Sequence, residues 1–168
     1  MDIRELTYTY YLRNRTTKRI PSNWESYEVV ELGAGSSNYS HLFGEENYTA
    51  VDLDPIIGKY VKKFVQADIA DLPFKENSFD VFIAISLLEH MNDPLSVLKR
   101  LIRICPEGGY ATIPVLDEFP FLYDPINWIR LRLGKTVMSF GIAGFGHVSI
   151  LYKKDWVKMF NEAGYSVT

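Results

Sequence analysis

The sequence predicts an α/β domain built on a mainly parallel, doubly wound sheet. Three observations carry that expectation. Apolar runs of strand length recur without the polar alternation of a half-exposed strand, so both faces of each are to be covered. Turn residues close each run, and helical patterns follow several of them. The 168 residues, 47% hydrophobic and 23% charged, suit one domain with a sizeable core, taken here as residues 1–168.

Residues 27–32 form the first run and lead into Gly33-Ala34-Gly35-Ser36-Ser37, with His41 in the helix expected next. Residues 48–52 form the second, closed by Asp54-Pro55, a cap with proline at the first helical position. A brief strand over 64–67 ends at Asp68. Residues 80–85 run to Asn92-Asp93-Pro94, which caps a helix whose Leu95, Leu98, Leu101 and Ile102 share a face while Lys99, Arg100 and Arg103 lie off it. Pro106-Glu107-Gly108-Gly109 precedes a strand over 110–115. Residues 116–150 form a long irregular connection, with one short helix expected between Asp124-Pro125 and Gly134. A final helix over 153–163 turns Trp156, Val157 and Phe160 inward, stops at Gly164 and leads into a last strand.

Composition excludes several classes. Cys105 is the only cysteine, which rules out a disulfide framework or a thiolate zinc site, and the three dispersed histidines suggest no metal. A net charge of −3 argues against a dedicated duplex nucleic-acid binder. No apolar run reaches the roughly 18 residues of a membrane span, and Met1-Asp2-Ile3-Arg4 lacks a signal-peptide core. The expected class is a soluble cytoplasmic domain acting on a small molecule.

In an open parallel sheet, ligands sit at the carboxyl ends of the strands. Glycines at 33 and 35 let the backbone turn sharply there, for a ligand or for the turn alone. Asp52 ends the second strand, where a carboxylate can accept both hydroxyls of a ribose. Asp68 ends the third, suited to an adenine amino group or to capping. A dinucleotide site wants G-x-G-x-x-G, and Asn38 fails at the third position. S-adenosylmethionine has no phosphate, and Glu31 beside the loop would repel one while welcoming an amino group.

Glu31-Leu32-Gly33-Ala34-Gly35, Ala50-Val51-Asp52-Leu53-Asp54-Pro55 and the run from Gln66 through Asp68-Ile69 to Phe74 resemble successive motifs of class I S-adenosylmethionine-dependent methyltransferases. The run from Asn77 through Ser86-Leu87-Leu88-Glu89-His90, and then Pro106-Glu107-Gly108-Gly109, continue the series. The pattern is similar to the small-molecule and ubiquinone-biosynthesis-like branch. The resemblance implies a Rossmann-like sheet, S-adenosylmethionine as cofactor and S-adenosylhomocysteine as product. It implies that Glu31, Gly33 and Gly35 shape the methionine end, Asp52 and Leu53 hold the ribose, and Asp68 and Ile69 hold the adenine. It places Ser86 at the start of the loop beneath the sulfonium, with Leu87 and His90 near by.

The departures are specific. Ser37 stands where the family has a third glycine. The fourth strand lacks the Asn/Asp-Pro-Pro-Tyr tetrapeptide of amino-group DNA methyltransferases, and no Pro-Cys nucleophile exists, since Cys105 precedes Pro106. His90 and His147 are the candidate general bases, each also readable as a hydrogen-bonded loop histidine. Residues 116–150, rich in aromatics, are the expected lid or substrate insertion. The family sheet closes with a hairpin of a sixth and an antiparallel seventh strand, which ending at Thr168 would truncate. The expectation is that the last residues shift inward or the fifth strand's edge stays open, as in a homodimer or a piece of a longer product. The alternative to an enzyme is a non-catalytic methyltransferase-like binding or partner subunit.

Overall fold

In the computed structural model, residues 7–14, 26–35, 39–114, 129, 132–133, 148–149 and 151–167 are described. β2 (Val29–Leu32) is buried along its whole length, as a strand with parallel neighbours and two covered faces must be. It pairs in parallel with β3 (Tyr48–Asp52) on one side and β5 (Val81–Ile85) on the other. β4 (Lys63–Gln66) extends the sheet beyond β3, and β6 (Gly108–Pro114) extends it beyond β5, both parallel. The doubly wound, mainly parallel sheet expected from the apolar runs is therefore present.

Successive strand residues face opposite sides, which divides the core in two. Val30, Leu32, Val51, Phe82 and Ala84 pack in one cluster with residues of α2 (Pro94–Ile104) and α3 (Lys153–Ala163). Val29, Tyr48, Ala50, Val81 and Ile83 join Phe43 and Ile57 in the other. The helix covering that second side, α1 (Ser40–Phe43), is only four residues long. α2 starts as its sequence implies: Pro94 opens it and Asp93 Oδ1 accepts from the Ser96 amide at 3.1 Å. α3 ends where Gly164 adopts φ +108°. No helix among the described residues is long and apolar enough to cross a membrane.

The far edge corrects one expectation. β1 (Thr7–Asn14) is antiparallel and lies between β6 and β7 (Tyr165–Val167), giving the order β4-β3-β2-β5-β6-β1-β7. Thr9 faces Thr112 and Leu12 faces Gly109 on one side, while Leu12 faces Val167 on the other. The chain's beginning thus fills the slot that the resemblance gives to an antiparallel strand from its end. The edge of β6 is paired, so dimerisation through that edge loses its basis, and β7 does not shift inward to meet β6. The physical signal was Thr7-Tyr8-Thr9-Tyr10-Tyr11-Leu12, a run of β-branched and aromatic residues suited to a strand.

Candidate functional site

The carboxyl ends of β2 to β5 carry nearly all the residues singled out from the sequence. Gly33 and Gly35, following β2, have φ +61° and +52°, conformations that glycine adopts without a Cβ penalty. The Ala34 amide donates to Val51 O at 3.2 Å, and the Gly35 amide donates to Asp52 Oδ2 at 2.8 Å. The turn is thus fastened to the end of β3. A Cβ on Gly33 would lie 2.7 Å from Leu87 Cδ1, so the segment after β5 sits directly on the turn after β2.

Asp52 carries two backbone donors, one per oxygen: Gly35 on Oδ2 and Asp54 on Oδ1, the latter at 2.9 Å. Each carboxylate oxygen has two lone pairs, so both keep capacity for a further donor. Leu53 follows at 65% exposure, an apolar side chain standing in solvent beside the carboxylate. Asp54 caps the 3-10 turn Pro55–Lys59 by accepting from the Ile56 amide at 3.0 Å, as its place before proline implies. Asp68 caps a second such turn, Ile69–Asp71, through Ala70 at 2.8 Å. Ile69 itself is buried in the core, beneath the rim.

Ser86, the first residue after β5, is exposed and adopts φ +47°, a left-handed conformation unusual for serine. Its amide donates to both the carbonyl (2.9 Å) and the hydroxyl (3.2 Å) of Thr112 on β6. Those bonds hold the chain in a strained turn where the resemblance puts the reacting atom. Apart from that turn, a cavity of about 580 Å3 is bordered by Leu53, Asp68, Ala70, His90, Ser96 and Arg100 among others, so that of the expected cofactor residues it brings together Leu53 and Asp68. It lies within the size range of small-molecule pockets.

Glu31 lies inside the fold. Its carboxyl is only 1% exposed and accepts a hydrogen bond from the Tyr48 hydroxyl, on the side of the sheet away from Leu32. Burial pushes this carboxyl up to about 7, against the lowering effect of Tyr48 and of the Tyr39 backbone. Glu31 thus carries a buried carboxyl that is bonded to Tyr48 of β3. Alternation explains it: with Leu32 in one core, the neighbouring side chain must enter the other.

Sequence reasoning missed Glu89 and Arg100. Glu89 is fully buried, and burial raises its carboxyl to about 7. Its backbone carbonyl accepts from the Val148 and Ser149 amides, both at 2.8 Å, while Ser149 Oγ donates to Met91 O at 2.7 Å. The end of the 116–150 segment is thus pinned to the loop after β5. Arg100, placed off the apolar face of its helix, reaches back to the segment 70–72. No local sequence signal marks either contact. His147 and residues 116–150, apart from 129, 132–133 and 148–149, lie outside the described residues.

A family model described as "Methyltransferase domain" matches residues 4–168. A ubiquinone/menaquinone biosynthesis C-methyltransferase from Coxiella burnetii is 33% identical over 81 residues, 45% of this chain and 32% of that protein. Methyltransferase str2 from Strobilurus tenacellus is 31% identical over 98 residues, 54% of this chain and 36% of that protein. The chain spans between about a third and just over half the length of the first such relatives. A solved S-adenosylmethionine-dependent methyltransferase from Methanosarcina mazei superposes with a TM-score of 0.64 at 15% identity, over 83% of this chain and 79% of that one. The match over residues 4–168 and the sheet with its strand-end acids make the chain a member of the methyltransferase-domain family, with the class I S-adenosylmethionine-dependent fold.

Proposed function

We propose that this chain transfers a methyl group from S-adenosylmethionine to a small or medium-sized acceptor, at oxygen, nitrogen or carbon, on the carboxyl rim of its sheet. The observation that carries the reading is the Asp52 carboxylate. Two backbone amides fix its orientation, and both oxygens keep lone pairs for the paired hydroxyls of a ribose. The Ala34 and Gly35 amides are bonded to Val51 and Asp52, which fixes the turn beside that carboxylate.

In this reading Asp52 and Leu53 hold the ribose, and Asp68 accepts from the purine amino group. Gly33, Gly35, Ser86 and Leu87 shape the floor at the methionine end. S-adenosylmethionine, when bound, supplies a methyl group already activated on its sulfonium. The protein's task is then placement in line with the acceptor, worth on the order of 7–11 kcal/mol in favourable cases. His90 borders the cavity, where its imidazole is the candidate to take a proton from an acceptor hydroxyl or amine. Residues 116–150 are assigned to the acceptor side, because their end is bonded to the loop that carries His90.

Incubation with methyl-labelled cofactor and a pool of small metabolites tests the reading. Label appearing in a small-molecule product, with release of S-adenosylhomocysteine, is the expected result. Tight cofactor binding with no transfer to any acceptor in the pool would favour the binding-subunit alternative instead.

A further inference from the structure

We infer that Arg100 is a positioning residue for recognition of the purine edge of the cofactor, acting through Asp68; this rests on the reading proposed above. Arg100 projects from the middle of α2 onto the short turn that follows β4. Its Nη2 donates to Leu72 O at 2.7 Å, and its Nη1 donates to Asp71 Oδ1 at 3.2 Å and, at longer range, to Ala70 O at 3.4 Å.

Those acceptors stand at the end of the turn Ile69–Asp71, where carbonyls have no partner within the turn itself. Asp68 stands at its beginning, with Oδ1 on the Ala70 amide. One short segment is therefore fastened at its start by Asp68 and at its end by Arg100. Asp68, Ala70 and Arg100 border the same cavity, with Leu53 also on its wall.

The chemistry is specific to arginine. A planar guanidinium reaches two carbonyls and a carboxylate from one rigid fork, which a lysine ammonium cannot match. The ion pair with Asp71, whose side chain is 88% exposed, contributes little in water. The carbonyl bonds carry the geometry, the one to Leu72 being partly buried. Arg100 itself touches no reacting group in this account. It fixes where the Asp68 carboxylate stands.

The test compares S-adenosylhomocysteine with S-inosylhomocysteine, which has an oxo group in place of the purine amino group. The wild-type chain is expected to prefer the amino form by about tenfold or more, since Asp68 would otherwise face a second acceptor. Arg100→Ala is expected to shrink that preference to within about twofold, and Arg100→Lys to lose most of it. A merely structural role would weaken both ligands alike and leave the ratio unchanged. A wild-type ratio in either folded variant overturns the inference, and Arg100→Lys carries the test if the alanine variant fails to fold. Wild-type protein that binds both ligands equally overturns it as well. Wild-type protein that binds neither ligand overturns the cofactor reading itself, a separate result.

Discussion

The Gly35 amide donates to Asp52 Oδ2 at 2.8 Å, so the turn after β2 and the end of β3 form one unit. The bond aims a carboxylate that a ribose can use. Two of the residues read from the sequence as cofactor contacts thus define each other's geometry before any ligand arrives. Gly33 links the same turn to the segment after β5 through Leu87.

That second link is measurable. Gly33→Ala places a Cβ in a left-handed backbone and against Leu87 Cδ1, for an expected loss of about 1–2 kcal/mol. Leu87 can yield at its flexible end, so Leu87→Ala should relieve the steric share and leave the backbone share. Urea unfolding of both single variants and the double variant should show non-additivity in that direction. Strict additivity would mean that the two residues do not couple.

Glu31 and Glu89, both raised from 4.5 to about 7 by burial, bind protons more readily in the folded chain than in the unfolded one. Their contributions are full below pH 4.5 and are lost as pH rises toward 7, each on the order of 3 kcal/mol at most. Stability should therefore fall between pH 5 and pH 8. Glu89→Gln should flatten that slope, as read from urea midpoints at the two values. A slope unchanged by the substitution would remove Glu89 from the account.

Tyr48→Phe takes a donor from the buried Glu31 carboxyl. The cost should be about 1–3 kcal/mol at pH 8, where the carboxylate is charged, and smaller at pH 5. Equal destabilisation at both values would show that the bond from Tyr48 is no stronger to a charged Glu31 carboxylate than to a neutral carboxyl.

Removal of residues 1–14 would expose the hydrogen-bonding edge of β6 and strip β7 of the strand it pairs with. The shortened chain should self-associate at concentrations where the full chain does not, as light scattering would show. Unchanged association would mean that another segment covers the edge.

The central sheet was legible because buried parallel strands leave contiguous apolar runs, and Val29–Leu32 and Val81–Ile85 do so plainly. Strand-end acids were legible for the same reason: Asp52 and Asp68 interrupt apolar runs at fixed places. Partnerships across the sheet were not. The bond that Glu31 accepts from Tyr48 spans 17 residues, and the grip of Arg100 on Leu72 spans 28. The place of β1 beside β6 is a non-local pairing that no local pattern encodes, although its residue types announce a strand.

Calorimetric titration of the chain and of Asp52→Ala with S-adenosylhomocysteine addresses the central claim most directly. Saturable binding by the wild-type chain is expected, with a loss of about 1.5–3 kcal/mol in the variant, roughly tenfold to over a hundredfold in affinity. Unchanged affinity in a folded Asp52→Ala chain, or preference of the wild-type chain for a nicotinamide dinucleotide, would contradict it.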